Sequence, residues 1–169
     1  MHIRISGVVY DSIVDGPGLR TAVFVQGCSH GCPGCHNPHT HDPAGGRDAD
    51  TADILAAMAQ NPVCAGLTLT GGEPFEQPAP CLELAREVHA LGKSVWAYSG
   101  YTLEALRAME NPDVDALLKE TDVLVDGPYL ETLRSLELKF RGSTNQRILD
   151  LKHAGPAGPA CWKDPWDAL

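Results

Sequence analysis

The sequence predicts an α/β fold, a partial, open (βα) barrel with parallel strands. Short apolar runs of strand size alternate with amphipathic segments of helix size. Helix-sized connections join successive strands in parallel through right-handed crossovers. The run Val23-Phe24-Val25 is near-continuously apolar, as in a strand buried on both faces. The 169 residues suffice for one domain with a proper core. They fall short of the roughly 250 residues of a complete eight-fold barrel. About four to six strands fit this length.

In chain order, Ile3–Tyr10 suits an opening strand or extended arm. Asp15-Gly16-Pro17-Gly18 is a tight turn, since Pro fixes φ and the flanking glycines allow positive φ. Arg20, just after it, reads as structural, with contact to an acidic partner as the alternative. The strand Thr21–Gln26 follows. Residues 48–60 read as a helix with Asp50 as N-cap, Asp53 in the first turn and Ile54, Leu55 and Met58 on one face; Asn61-Pro62 stops it. Ala65–Thr70 is the next strand. Pro78–Leu91 is a helix with Leu82, Leu84, Ala85, Val88 and Leu91 inward and Gly92 at C′. Lys93–Tyr98 is a third buried strand, with Trp96 and Tyr98 as core or barrel lining. Thr102–Met109 and Val114–Lys119 are helical. Asp122–Val125 is a fourth strand and Gln146–Leu151 the last. Residues 1–154 form the domain, and 155–169, with Pro156, Pro159, Pro165, Trp162 and Trp166, read as an irregular tail.

The composition narrows the function. Hydrophobic residues make up 43% of the chain, too many for a disordered protein. The net charge is −9 with no Lys/Arg cluster, which argues against a nucleic-acid or anionic-membrane surface. No apolar run approaches the roughly 20 residues of a membrane span. The N-terminus lacks the long apolar core of a signal peptide, so the chain is expected in the cytoplasm.

Of six cysteines, Cys64, Cys81 and Cys161 are scattered and receive no role. Cys28, Cys32 and Cys35 form a C-x3-C-x2-C array in a Gly/Pro-rich loop directly after a strand. In a cytosolic setting such a cluster reads as metal-binding or catalytic. Three thiolates suit a metal centre with one position open. A structural zinc needs four protein ligands, and a [4Fe–4S] cluster is usually held by four cysteines. A fourth ligand therefore lies elsewhere, or a substrate takes the last site. His30, His36, His39 and His41 crowd the loop, so a Cys3His zinc site stays open as an alternative. Gly71-Gly72-Glu73 follows the next strand. Taken alone it is a strand-to-helix turn with an N-terminal acid. Lying one strand after the cysteine loop, it reads as a ligand-facing segment. Asp126 ends a further strand at the same side of the sheet.

The C-x3-C-x2-C array resembles the signature of the radical S-adenosylmethionine (SAM) superfamily. Asp15–Arg20 resembles the DGPGxR stretch of glycyl-radical-enzyme activases, and Thr70–Pro74 the superfamily's GGE motif. With Asp122–Pro128 and Arg141–Gln146, the chain is similar to the activating proteins of class III anaerobic ribonucleotide reductase, from about Tyr10 to Leu151. Gly34 stands where other superfamily members carry an aromatic residue, a form these activating proteins share. Relatives often have lysine where this chain has Pro128, so that lysine's role does not carry over.

The resemblance implies the radical SAM type of (βα) barrel. It implies that Cys28, Cys32 and Cys35 ligate three irons of a [4Fe–4S] cluster and that SAM chelates the fourth. The reduced cluster would cleave SAM to methionine and a 5′-deoxyadenosyl radical, which takes a hydrogen atom from a glycine of the reductase. Gly34, Cys35 and His36 would flank SAM on the cluster side, with Gly71, Gly72 and Glu73 opposite and holding its amino group, and Asp126 near the cofactor or the incoming glycyl loop. The implied partners are the glycyl radical subunit of the reductase and an electron donor such as flavodoxin or ferredoxin. Other radical SAM enzymes, a zinc-stabilised binding module and a SAM-independent electron carrier stay open as alternatives. Activases of other glycyl radical enzymes usually carry extra ferredoxin-like cysteine clusters, and none occurs here.

Overall fold

The computed structural model of the protein describes residues 1–168. Eight strands form one mixed sheet: β1 (His2–Ser12), β2 (Arg20–Val25), β3 (Arg47–Asp50), β4 (Gly66–Gly71), β5 (Ser94–Tyr98), β6 (Val123–Asp126), β7 (Arg147–Gly155) and β8 (Gly158–Cys161). Their order across the sheet is β3-β1-β2-β4-β5-β6-β7-β8. The four central strands β2, β4, β5 and β6 run parallel. Four helices, α1 (Thr51–Ala59), α2 (Pro78–Ala90), α3 (Leu103–Arg107) and α4 (Pro112–Glu120), are interspersed among the strands.

The expectation of parallel strands holds for the centre and is corrected at both edges. There β1 and β3 pair antiparallel on one side and β7 and β8 on the other. The β1–β2 and β7–β8 connections, residues 13–19 and 156–157, are too short for helical crossovers, and antiparallel strands need none. The helix expected from residue 48 begins at Thr51, because Arg47–Asp50 pairs with His2–Ile5 first. Asp50 is its N-cap, accepting from the Ala52 N–H at 3.0 Å. Gly92 follows α2 at φ +70 as a left-handed C′ residue. Leu91 is the exception in the predicted inward set: it is 49% exposed because it caps α2 rather than continuing its buried stripe. The tail is likewise corrected. Residues 158–161 pair with β7, and Trp162 packs edge-on against Trp96 and Phe140, with centroids 5.0 and 6.0 Å away.

The pleat of the parallel strands sorts side chains between two faces. Val23, Val25, Leu67, Leu69, Val95, Ala97 and Leu124 point into one core with Ile54, Met58, Leu84, Val88, Leu106 and Leu117 of the helices. All four helices contribute to this single layer. The opposite face carries Arg20, Phe24, Thr68, Thr70, Trp96, Tyr98 and Val125. There Trp96, Val123 and Val125 form a second, aromatic cluster with Tyr98, Phe140, Ile148 and Trp162. Arg20, only 1% exposed, donates to the Thr68 hydroxyl, the Leu67 and Ser94 carbonyls and the Ser94 hydroxyl at 2.7–3.1 Å. It lies over the Trp96 ring at 5.7 Å. Burial lowers its pKa to about 10, so it remains charged at neutral pH. It joins β2, β4 and β5 at their N-terminal ends, the structural role expected of it.

His89 of α2 ties the helix layer to the sheet, with ring nitrogens 2.8 Å from Glu120 and 2.9 Å from Asp122. Burial lowers its pKa, but the hydrogen bonds to Asp122 and Glu120 outweigh it, and the folded value lies above the ordinary 6.5. A raised folded pKa contributes stability that is complete below the unfolded value and is lost as pH climbs through the folded one. His89→Gln is therefore expected to lower the melting temperature more at pH 6 than at pH 9. Equal losses at both pH values would contradict this.

Candidate active site

The cysteine loop leaves β2 at Gln26. Gly27 turns it with φ +99, and the loop returns alongside itself through Gly27 N–H to Thr40 O (2.8 Å) and Cys28 N–H to His41 O (3.2 Å). Gln26 fastens the return by donating to the His39 and Asp42 carbonyls at 3.0 and 2.7 Å. Gly34 has φ +71, and a Cβ there would meet the Glu131 carboxylate at 2.7 Å. The left-handed φ is what favours glycine next to Cys35, since the exposed Glu131 side chain can swing aside.

Cys28, Cys32 and Cys35 are free thiols, each partly exposed. All three line one cleft of about 380 Å³ at the C-terminal ends of the parallel strands, where sites gather in α/β folds. Gly71 and Gly72 form part of its wall, and Phe24, Tyr98 and Phe140 add apolar surface. This is the size and character of a small-ligand site.

The donor set fits an iron–sulfur cluster. The Asn37 N–H points at the Cys35 Sγ at 3.4 Å, a contact of the kind that tunes cluster sulfurs. Burial pushes the Cys28 thiol up to about 11, and a bound metal would displace that proton. Among the described residues, no three His, Cys, Asp or Glu side chains meet closely enough to hold a single ion. A tetrahedral zinc requires all its donors about 2.0–2.3 Å from one point. In a cluster each cysteine has its own iron.

Of the residues expected around the cofactor, the cleft gathers Cys28, Cys32, Cys35, His36, Gly71 and Gly72. Gly34, Glu73 and Asp126 are not in its wall. Asp126 follows Leu124 in the pleat and so points into the helix layer. Its carboxylate accepts from the Leu103 N–H at 2.7 Å and from Arg147, its cross-strand partner, at 2.5 and 2.9 Å. Arg147 also pairs with Glu104, which holds that carboxylate down at about 2. Glu73 is 1% exposed, with both oxygens engaged by protein donors.

The Gly71-Gly72 pair also has a structural reason. A Cβ on Gly71 would lie 2.6 Å from the Phe24 Cα, and one on Gly72 2.3 Å from the Gly27 carbonyl. The Arg141–Gln146 turn is self-fastened. The Gln146 side chain accepts from the Gly142 and Ser143 amides and donates to the Gly127 carbonyl, while Asn145 donates to the Pro128 carbonyl. Sequence reading missed Tyr129 and Phe140 as cleft residues. Tyr129 packs on His36 with ring centroids 4.9 Å apart. Both lie in a long loop without periodicity, so no local pattern marks them.

A family profile described as "4Fe-4S single cluster domain" matches residues 14–149. The anaerobic ribonucleoside-triphosphate reductase-activating protein of Salmonella typhimurium (strain LT2) is 36% identical over 151 residues, covering 83% of this chain and 94% of that one. The chain belongs to the family of anaerobic ribonucleoside-triphosphate reductase-activating proteins. The family's Escherichia coli K12 member is 36% identical over 148 residues, covering 83% of this chain and 94% of its own. Its phage T4 member is 36% identical over 142 residues, covering 80% and 86%. The matched span of this activating-protein chain includes the cysteine loop, the Gly71-Gly72-Glu73 segment and the self-fastened turn. No helix among its described residues is long and apolar enough to cross a membrane.

Proposed function

We infer that this chain activates an anaerobic ribonucleoside-triphosphate reductase by generating a glycyl radical on it. The observation that carries the reading is the meeting of Cys28, Cys32 and Cys35 with the Gly71-Gly72 ridge in one open cleft, in a chain of this family. Cys28, Cys32 and Cys35 would hold a [4Fe–4S] cluster with one iron left for SAM. When bound, cluster and SAM together supply a one-electron cleavage of the sulfonium and the hydrogen-atom abstraction from glycine.

The chain's own residues bind, orient and exclude water. Gly71 and Gly72 would present their backbone to the cofactor from the cleft wall. His36 and Tyr129, packed against each other beside Cys35, would flank it, and Phe24, Tyr98 and Phe140 would provide an apolar floor. Gly34, Glu73 and Asp126 would act from behind this wall, through the backbone they hold in place. The substrate is a protein loop, so the mouth must stay open. A partial (βα) barrel of the radical SAM type would leave it so, a reading supported by the single helix layer on one face and the cleft on the other. The reductase's glycyl radical subunit is the proposed partner, a flavodoxin or ferredoxin the proposed electron donor, and the cytoplasm the proposed location.

The test is anaerobic EPR of the iron-reconstituted, dithionite-reduced protein with and without SAM, followed by addition of the reductase. The expected result is a [4Fe–4S]⁺ signal that changes on SAM addition, then a glycyl radical on the reductase. A cluster signal indifferent to SAM, or zinc in place of iron, would overturn the reading.

A further inference from the structure

Glu73 lies at the end of the ridge, yet its carboxylate serves the protein itself. One oxygen accepts from the Phe75 N–H at 3.1 Å. The other accepts from the Ser99 hydroxyl at 3.1 Å, the Gly100 N–H at 2.9 Å and His30 Nε2 at 2.7 Å. One oxygen thus takes a single donor and the other takes three, so both are engaged by the protein. A buried carboxylate without such partners would be costly.

His30 belongs to the cysteine loop, between Cys28 and Cys32. Its ring is seated edge-on against Tyr101, with centroids 4.3 Å apart. A Cβ on Gly100 would come within 2.5 Å of it, so backbone forms the other side of the slot. Beside it, the Ser29 N–H and hydroxyl donate to Glu76 at 3.1 and 2.5 Å. Two acids of one short turn, Pro74–Glu76 with its cap Glu73, thus hold two successive residues of the loop.

We propose that His30 is a positioning residue, which through Glu73 locks the cysteine loop to the Gly71-Gly72 ridge and to the end of β5. The lock fixes the two walls of the cleft against each other before any ligand arrives. The inference rests on the reading that the cleft takes a cluster and SAM. Preorganised walls matter because a misplacement of about 1 Å can cost on the order of 100-fold.

The experiment compares His30→Phe, which keeps the ring on Tyr101 but loses the donor, with His30→Gln, whose amide can donate to Glu73. Three quantities are read: iron content, SAM affinity of the loaded protein, and amide hydrogen exchange at Gly72, Glu73 and Gly100 with and without the cluster. The expected result for His30→Phe is unchanged iron, faster exchange at those amides and SAM binding weakened about 10–100-fold, the range for removing an outer partner at a metal site. His30→Gln is expected to restore most of both losses. Wild-type exchange rates and SAM affinity in both variants would overturn the proposal. So would a His30→Phe protein that loses its iron while its ridge exchange stays unchanged. If His30→Phe does not fold, Glu73→Gln must show the same faster exchange at Gly100, and wild-type exchange there overturns the lock. Wild-type protein that loads iron yet ignores SAM refutes the functional reading instead, and the exchange data then judge the lock alone.

Discussion

Cys28→Ala, Cys32→Ala and Cys35→Ala are each expected to lower SAM cleavage by more than about 100-fold. Loss of merely an outer partner of a metal ligand costs about 10–100-fold, and here a proposed ligand itself is removed. The three thiols line one cleft, and the loop supplies no cysteine to replace a lost one. The nearest in sequence, Cys64, is buried and engaged with Thr21 and the Gly66 carbonyl. The measurements are iron content and 5′-deoxyadenosine formation under anaerobic reduction. Cys64→Ala, Cys81→Ala and Cys161→Ala serve as controls, expected to retain both. A Cys32→Ala protein that still cleaves SAM with an intact cluster would sink the three-cysteine assignment.

The second large effect belongs to Arg20, far from the cysteines. Arg20→Met keeps most of the stem's volume but strips donors from Thr68, the Leu67 carbonyl and Ser94, all at the N-terminal ends of three parallel strands. Its partners are neutral hydroxyl and carbonyl oxygens, and stripping the donors from several of them is expected to cost about 3–5 kcal/mol in all. The partners remain here, and each orphaned buried group costs about 1–3 kcal/mol. For a chain of this size, about 2–4 °C per kcal/mol gives a fall in melting temperature of about 6–20 °C. A thermal melt of the cluster-free protein measures it directly. A fall under about 2 °C would show that the Arg20 bonds contribute nothing net.

These two residues also show what was legible in the sequence. The C-x3-C-x2-C spacing on a Gly/Pro loop after an apolar run is local, and in the structure the three thiols line one cleft. Arg20 read as structural from its position behind a tight turn, but nothing local named its partners, which lie 47–74 positions away. Glu73 and Asp126 are the sharper case. Both end strands on the ligand side of the sheet, and both read as facing the site. The structure engages one with His30, Ser99 and Gly100 and the other with Arg147 and Leu103.

The sequence by itself determined the order of strands and helices, the N-cap at Asp50, the glycine turns and the cysteine loop. Each of these rests on interactions within a few residues: capping bonds, allowed φ values and the periodicity of apolar side chains. Tertiary structure alone decided the antiparallel edges, β3 and β8, the aromatic cluster of Trp96, Phe140 and Trp162, and which acids meet the cleft. The physical reason is register. A strand's partner and the face each side chain takes depend on pairing with distant segments, and a shift of one residue reverses every side chain. Asp126 shows it: the pleat puts it with Leu124 among the helices, one position from Val125, which faces the other way.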